Sequence, residues 1–212
     1  MNQTKICLVR HGETPWNTEK RIQGQTDIAL NSVGEAQAVA TARSLSRQSV
    51  DALFSSDLMR AQQTARSISA AINRPAELLP ALRERRYGSF EGLTYTEASQ
   101  HFPDAYRRFA ARDADFALPG GGESLCQLHA RVVDALQMIA ARHVGQTVVL
   151  VTHGGVLDSV NRFVRGNALS LPRDFLIPNA AVNWLSVDGE HWALQSWGET
   201  AHLQAMGLDE LT

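Results

Sequence analysis

The stretch Thr147-Val148-Val149-Leu150-Val151-Thr152-His153-Gly154-Gly155 decides how this chain folds. Its apolar run, Val148 to Val151, is short, continuous and mostly β-branched, as a strand buried on both faces requires. Immediately after it, Gly155 to Arg165 reads as a helix that turns Val156, Val160, Phe163 and Val164 inward. Upstream, Leu125, Leu128, Val132, Leu136 and Ile139 recur at helical spacing behind a Ser124-to-Gln127 capping box. That helix runs to about His143, and Gly145 stops it. A buried strand between two helices is the repeating unit of an α/β sheet.

The alternation continues outward in both directions. Ile6-Cys7-Leu8-Val9 reads as a buried strand, and Ser32-Val33-Gly34-Glu35 as a capping box opening an Ala-rich helix to about Leu45. Asp51 to Phe54 reads as a second strand. Asp57 is then expected to cap a helix carrying Leu58, Ala61, Ala65, Ile68 and Ile72. Ala76 to Leu79, between two prolines, reads as a third strand. Residues 81–122 are less regular, with two short helices predicted near Thr94–His101 and Asp104–Arg112; Gly120-Gly121-Gly122 reads as a flexible loop. At the end, Val182 to Val187 and Trp192 to Trp197 alternate around Asp188-Gly189 and predict a hairpin. The expectation is an α/β fold with a mainly parallel central sheet and an antiparallel edge, in one domain over 1–212.

Composition excludes several functions. The 212 residues are 44% hydrophobic and 20% charged, with a formal net charge of −2, so neither wholesale disorder nor general nucleic-acid binding is expected. No apolar run approaches membrane-spanning length, and residues 1–5 show no signal-peptide pattern. Cys7 and Cys126 form neither a metal-ligand spacing nor a disulfide framework, which fits reduced thiols and a cytoplasmic location. Of the basic residues, all but Lys5 and Lys20 are Arg. Codon bias explains that, or a need for planar forks that clamp an anion.

Ligands of open α/β sheets bind beyond the carboxyl ends of the strands. Those ends carry Arg10-His11-Gly12-Glu13 after the first strand and Asp57-Leu58-Met59-Arg60 after the second. Arg83-Glu84-Arg85 follows the third, and His153-Gly154-Gly155 the strand at 147. Two His, at least two Arg and one Glu therefore converge on one edge. The set suits phosphoryl transfer, in which Arg holds the charged oxygens, a neutral His attacks phosphorus and a carboxyl protonates the leaving oxygen. A helix starting at Gly154 or Gly155 aims backbone N–H groups at the same anion. Each residue also has a plainer use. Glu84 can simply pair with the neighbouring Arg83, Arg85 or Arg86, and Arg60 can be a solvated first-turn residue. A metal site is the rival use of two His, but no H-x-x-x-H, H-x-H or C-x-x-C spacing occurs. His101, His129 and His143 fall in helical stretches, where solvated or core-edge roles are expected.

These residues also carry a resemblance. Leu8-Val9-Arg10-His11-Gly12-Glu13-Thr14-Pro15-Trp16-Asn17 resembles the signature of the histidine phosphatase superfamily, also called the phosphoglycerate mutase-like family. Arg21-Ile22-Gln23-Gly24-Gln25-Thr26-Asp27, the helix around Arg60, Leu82-Arg83-Glu84 with Gly88 to Gly92, Val151 to Gly155 and Gly198 to Leu203 are similar to its further segments. The resemblance implies a three-layer α/β/α sandwich. It implies that His11 takes the phosphoryl group, that Arg10, Arg60 and His153 hold its oxygens, and that Glu84 is general acid and base. Asn17, Gln23, Gly24 and Gly154 then lie near phosphate or substrate, and no metal or other cofactor is needed. Phosphatases of the family are the nearer likeness, because the chain is short, His153 is followed by Gly154-Gly155-Val156, and Phe90-Glu91-Gly92 ends the acid segment. Glu84-Arg85-Arg86-Tyr87-Gly88 instead resembles the mutase form. On that reading Tyr87 contacts substrate and Arg107-Arg108 mimics a carboxylate-binding pair. A non-catalytic phosphate-binding module is the third alternative. The expected partner is a small phosphorylated metabolite, not nucleic acid or a membrane. Specificity is assigned to an insertion at about 94–122 and to 166–180; a homodimer stays open.

Overall fold

A computed structural model describes residues 3–204 and Gly207. The strands are β1 (Thr4–Arg10), β2 (Ala52–Ser55), β3 (Ala76–Leu78), β4 (Thr147–Thr152), β5 (Val182–Asp188) and β6 (His191–Glu199). The α-helices are α1 (Pro15–Thr18), α2 (Ser32–Leu45), α3 (Met59–Ile72), α4 (Tyr95–His101), α5 (Pro103–Ala110), α6 (Leu125–Arg142), α7 (Gly154–Arg165) and α8 (Ala201–Gln204). The sheet order is β3-β2-β4-β1-β5-β6. β1 to β4 are parallel, β5 runs antiparallel to β1, and β6 antiparallel to β5. The expected antiparallel edge is thus a complete hairpin.

Strand alternation makes the layers. Ile6, Leu8, Val148 and Leu150 point to one face, where they meet α6 and α7 through Leu128, Val132, Leu136, Val156 and Val160. Their neighbours Cys7, Val9, Val149 and Val151 point to the other, against Ala42 and Leu45 of α2 and Ala61, Ala65 and Ile68 of α3. A period of two in the central strands therefore buries both faces and yields the α/β/α sandwich. Removing Leu150 to its β-carbon would cost about 2–5 kcal/mol. Segment 87–118 forms a third, aromatic core around Ile22, Phe90, Ala98 and Leu118, which seats α4 and α5 over the loop that follows α1.

Two caps differ from expectation. Ser32 lies inside α2, and Asn31 caps it by accepting from Gly34 N at 2.8 Å. Asp57 does not cap α3, whose N-cap is Leu58. The Asp57 carboxylate is taken by both arms of the Arg83 guanidinium, at 2.7 and 2.6 Å, and a bidentate ion pair outcompetes a single N–H. Ser124 caps α6 as predicted, reciprocally with Gln127. The triple glycine is not a loose loop: Gly122 N donates to Leu118 O, and Ser89 N to Pro119 O.

Candidate active site

β1 and β4 are adjacent and in register, so their carboxyl ends deliver His11 and His153 side by side, with ring centroids 5.1 Å apart. His11 is 3% exposed and His153 fully buried. The backbone fixes His11 from both sides: its N–H donates to Thr152 O at 2.9 Å, and its carbonyl accepts from Ala180 N and from Asn179 Nδ2. Its Nδ1 lies 2.7 Å from Gly12 O. A carbonyl only accepts, so Nδ1 carries the proton and Nε2 keeps its lone pair. Burial, then the charges of Arg60 and Arg10, holds the pKa of His11 well below the usual histidine range. A neutral imidazole with a free lone pair is what attack on phosphorus needs.

Two guanidiniums converge on it. Arg60, in the first turn of α3, is fully buried and is not the solvated residue the sequence allowed. It donates to Gly24 O at 2.7 Å and Thr26 O at 2.9 Å, and burial lowers its pKa to about 10. Arg10 donates to Ile177 O. Glu84 follows a short 3-10 turn; its Oε1 accepts from Arg85 N at 2.7 Å, and both oxygens accept from Gly155 N at 3.0 Å. Glu84 is therefore not spent on a neighbouring arginine side chain. The N–H at the start of α7 serves this carboxylate, and Oε2 keeps the larger free capacity.

Arg10, His11, Arg60 and Glu84 line a recess of about 100 Å³ together with Asn17, Gln23, Gly24 and Tyr87, with His153 buried beside His11. Asn17 Oδ1 is held by Thr14 and Asn179. Gly24 has φ +55°, and a β-carbon there would lie 2.2 Å from a Glu91 oxygen. A β-carbon on Gly155 would lie 2.2 Å from Glu84 Oε1, whereas one on Gly154 would stay 3.8 Å from Glu84 and Arg10. Gly155 rather than Gly154 is thus the position that geometry constrains. Arg107 and Arg108 do not reach the recess. Arg107 is exposed and paired with Asp104, and Arg108 is paired with Asp113 and lies over Phe116. The carboxylate-binding pair expected there is absent because that side of α5 faces solvent.

Gln23 Oε1, Arg60 Nε and His153 Nδ1 are buried at this site with no hydrogen-bond partner among the described residues. Such atoms are costly unless a ligand satisfies them. His153 shares its Nε2 with Ser56 Oγ at 2.8 Å, and burial followed by the charge of Arg60 lowers its pKa as well. When the Ser56 hydroxyl donates to Nε2, the proton of His153 sits on Nδ1 as an unspent donor. Ser56, Asn179 and Arg131 were not visible as site residues in the sequence. Arg131, on α6, donates to the carbonyls of Ala81, Arg83 and Glu84 at 2.8–2.9 Å and so shapes the acid loop. A larger hollow, about 590 Å³, lies between α6 and the β5–β6 hairpin, but among the described residues Glu190 is its one ionisable lining group. Among the described residues no helix is long and apolar enough to cross a membrane.

Known proteins resemble this chain in sequence and in fold. The sequence profile of the histidine phosphatase superfamily (branch 1) matches residues 6–200. Phosphoglycerate mutase-like protein 4 of Arabidopsis thaliana is 42% identical over 211 residues, covering 98% of this chain and 90% of the relative. The metal-independent phosphoserine phosphatase of Arabidopsis thaliana is 43% identical over 207 residues, covering 97% and 85%. Among solved structures, the mycobacterial glucosyl-3-phosphoglycerate phosphatase superposes with a TM-score of 0.84 at 29% identity, covering 93% of this chain and 100% of that one. The chain belongs to the histidine phosphatase superfamily.

Proposed function

We propose that this protein is a phosphomonoester hydrolase working through a phosphohistidine on His11. His11 Nε2 attacks phosphorus as the bond to the leaving oxygen breaks, and Glu84 Oε2 gives that oxygen its proton. Arg10, Arg60 and His153 hold the three equatorial oxygens, with Asn17, Gln23, Gly24 and Gly154 around the phosphate. Glu84, now ionised, takes a proton from water. The resulting oxygen displaces Nε2 from phosphorus, so inorganic phosphate leaves and both residues return to their starting forms. One observation carries the reading above the others: His11 is buried, neutral and singly protonated on the nitrogen facing Gly12 O, in a recess walled by two guanidiniums and a carboxylate. A relative named metal-independent phosphoserine phosphatase supports hydrolysis and a small phosphorylated substrate. Segment 94–122 serves specificity within one domain, and the location is cytoplasmic.

A mutase reading has support of its own, from the relative named phosphoglycerate mutase-like and from Glu84-Arg85-Arg86-Tyr87-Gly88. The separating experiment incubates the protein with 3-phosphoglycerate, with and without a 2,3-bisphosphoglycerate primer. Steady release of inorganic phosphate without primer is expected, and unchanged activity in chelator. Fast, primer-dependent formation of 2-phosphoglycerate would favour the mutase. Failure to turn over even p-nitrophenyl phosphate would favour a binding module.

A further inference from the structure

The register that sets His11 beside His153 extends one strand further. β2 is parallel to β4 and paired with it up to Ser55↔Val151, so Ser56 leaves the sheet next to the strand that ends before His153. Ser56, His153 and His11 thus stand at the ends of the neighbouring strands β2, β4 and β1.

Ser56 is fully buried and held by its backbone. Its N–H donates to Val151 O at 2.9 Å, and its carbonyl accepts from Ser55 Oγ at 2.8 Å. Its own Oγ has two partners, Leu58 N at 3.3 Å and His153 Nε2 at 2.8 Å. A backbone N–H only donates, so Ser56 Oγ accepts from Leu58 and keeps its hydrogen for the other partner. Among the described residues, His153 Nε2 is the one acceptor bonded to that hydroxyl.

The two tautomers of His153 therefore differ in cost. With the proton on Nε2, the imidazole donates to Ser56 Oγ, and the Ser56 hydrogen is buried without an acceptor. With the proton on Nδ1, the hydroxyl donates to Nε2, and every polar atom of Ser56 is satisfied. Leaving a buried hydroxyl unsatisfied costs enough to decide between them. Burial, then the charge of Arg60, keeps the ring neutral, so it has one proton to place. Nδ1 is buried with no partner among the described residues. Protonated, it is a donor for an anion; bare, it presents a lone pair that repels one.

We infer that Ser56 is a positioning residue: by donating to Nε2 it pins the proton of His153 on Nδ1, where it becomes a donor to the phosphoryl oxygens held over His11. The inference rests on the phosphatase reading for what that donor meets, while the tautomer rests on the hydrogen bonds alone. Ser56 also ties the imidazole to α3, because the Leu58 N–H it receives belongs to the N-cap of the helix whose first turn carries Arg60.

The test reads the tautomer directly, by nuclear magnetic resonance of the protein labelled with 15N-histidine. The His153 signals are identified by their absence in His153→Gln. The unaltered protein should show a protonated Nδ1 and a bare Nε2. Ser56→Ala should move the proton to Nε2 or spread it over both nitrogens, and Ser56→Thr, which keeps the hydroxyl, should return it to Nδ1. In the same variants, kcat should fall roughly 10- to 100-fold for Ser56→Ala, the usual worth of one hydrogen bond to a charged group, and recover in Ser56→Thr. The loss should be alike for alkyl phosphates and p-nitrophenyl phosphate, since the donor meets the phosphoryl oxygens and not the leaving oxygen. A proton on Nε2 in the unaltered protein overturns the inference whether or not any variant folds. So does a tautomer unchanged in Ser56→Ala, an undiminished kcat once the proton has moved, or a loss confined to alkyl phosphates, which would place the effect at Glu84. The expected tautomer shift without phosphate release from any ester, even by the unaltered protein, overturns the hydrolase reading alone.

Discussion

The recess around His11 and a cavity of about 280 Å³ behind it, lined by Arg85, Phe109, Leu128 and Arg173, share Tyr87 and Tyr95 as a wall and differ in how they are built. The recess is assembled at the ends of central strands whose backbone pairing fixes its geometry: His11 and His153 sit where β1 and β4 stop. The cavity is assembled from a helix face, a short aromatic core and the 166–180 segment, which meet only through tertiary packing. The first arrangement suits chemistry that must be the same for every substrate. The second suits recognition, because its walls can change without moving a strand. If the division is real, substitutions in the recess should damage turnover of all esters alike, and substitutions in the cavity should damage only some.

His11→Ala is the largest test. It removes the nucleophile, so turnover should fall to background for every ester, and acid-free quenching after incubation with a slow substrate should find no phosphate on the protein. Phosphate still trapped on another residue of that variant would move the chemistry elsewhere in the recess.

Glu84→Gln should be next. It keeps shape and hydrogen-bond acceptance but cannot give up a proton. The expected loss is roughly 10²–10⁴-fold for alkyl phosphates. For p-nitrophenyl phosphate, whose leaving group needs little protonation, it should be much smaller. Equal losses would count against Glu84 as the acid. The other carboxylates nearby are committed: Glu91 accepts from Gln25 N, Tyr87 N and Thr26 Oγ1, and Glu13 from Asn31 and Thr18.

Arg131→Met then tests whether the wall between the two regions is itself positioned. Its guanidinium ties the carbonyls of Ala81, Arg83 and Glu84 to the Glu123 carboxylate. Without it Glu84 should wander, and kcat for alkyl phosphates should fall about 10- to 30-fold while KM changes little, since misplacing a catalytic group costs rate before binding. An equal fall for p-nitrophenyl phosphate would show that the damage is not specific to proton transfer.

How much of this was legible follows the same division. Val148 to Val151 and Ile6 to Val9 read as buried strands, and a residue just past such a strand has one place to go. His11, His153 and their glycines were therefore visible, and so was the three-layer sandwich that the resemblance implied. Arg60 was visible as a candidate but not its full burial, which depends on the carbonyls of Gly24 and Thr26 arriving from another loop. Arg107-Arg108 was read as a carboxylate-binding pair, and neither residue lines the recess. Arg107-Arg108 looks like a pair in sequence, yet each has its own carboxylate partner within five residues on the outside of α5. Arg85 and Arg173 are 88 positions apart and meet only because the sheet brings their loops together. Ser56 and Asn179 were missed for a related reason: a lone serine or asparagine in a loop has no periodicity to betray it.

The smallest predicted effect concerns pH and stability, and it separates the regions by the titrating groups they bury. The recess buries two imidazoles, His11 and His153, whose pKa values are held low first by burial and then by neighbouring positive charge. No histidine lines the second cavity. In the unfolded chain each imidazole regains a pKa near 6.5. Below that value the unfolded state binds more protons than the folded one, so stability must fall as pH falls. Above it both states are neutral there and the contribution is flat. Between pH 7 and 6 the loss should be roughly 0.7 kcal/mol per histidine kept neutral, from the linkage relation applied to an unfolded pKa of about 6.5. His129 and His202 are also held low by burial, but they remain in every variant and cancel in a difference. Denaturant titration of the unaltered protein and of His153→Gln, whose amide can still bond Ser56, at both pH values isolates one recess histidine. The variant should lose about 0.7 kcal/mol less on acidification, whatever its absolute stability. Arg85→Met should show the full loss, because arginine does not titrate in this range. A His153→Gln protein that loses as much as its parent would mean that His153 is not held neutral, and the recess would then carry a positive charge more than the mechanism assigns to it.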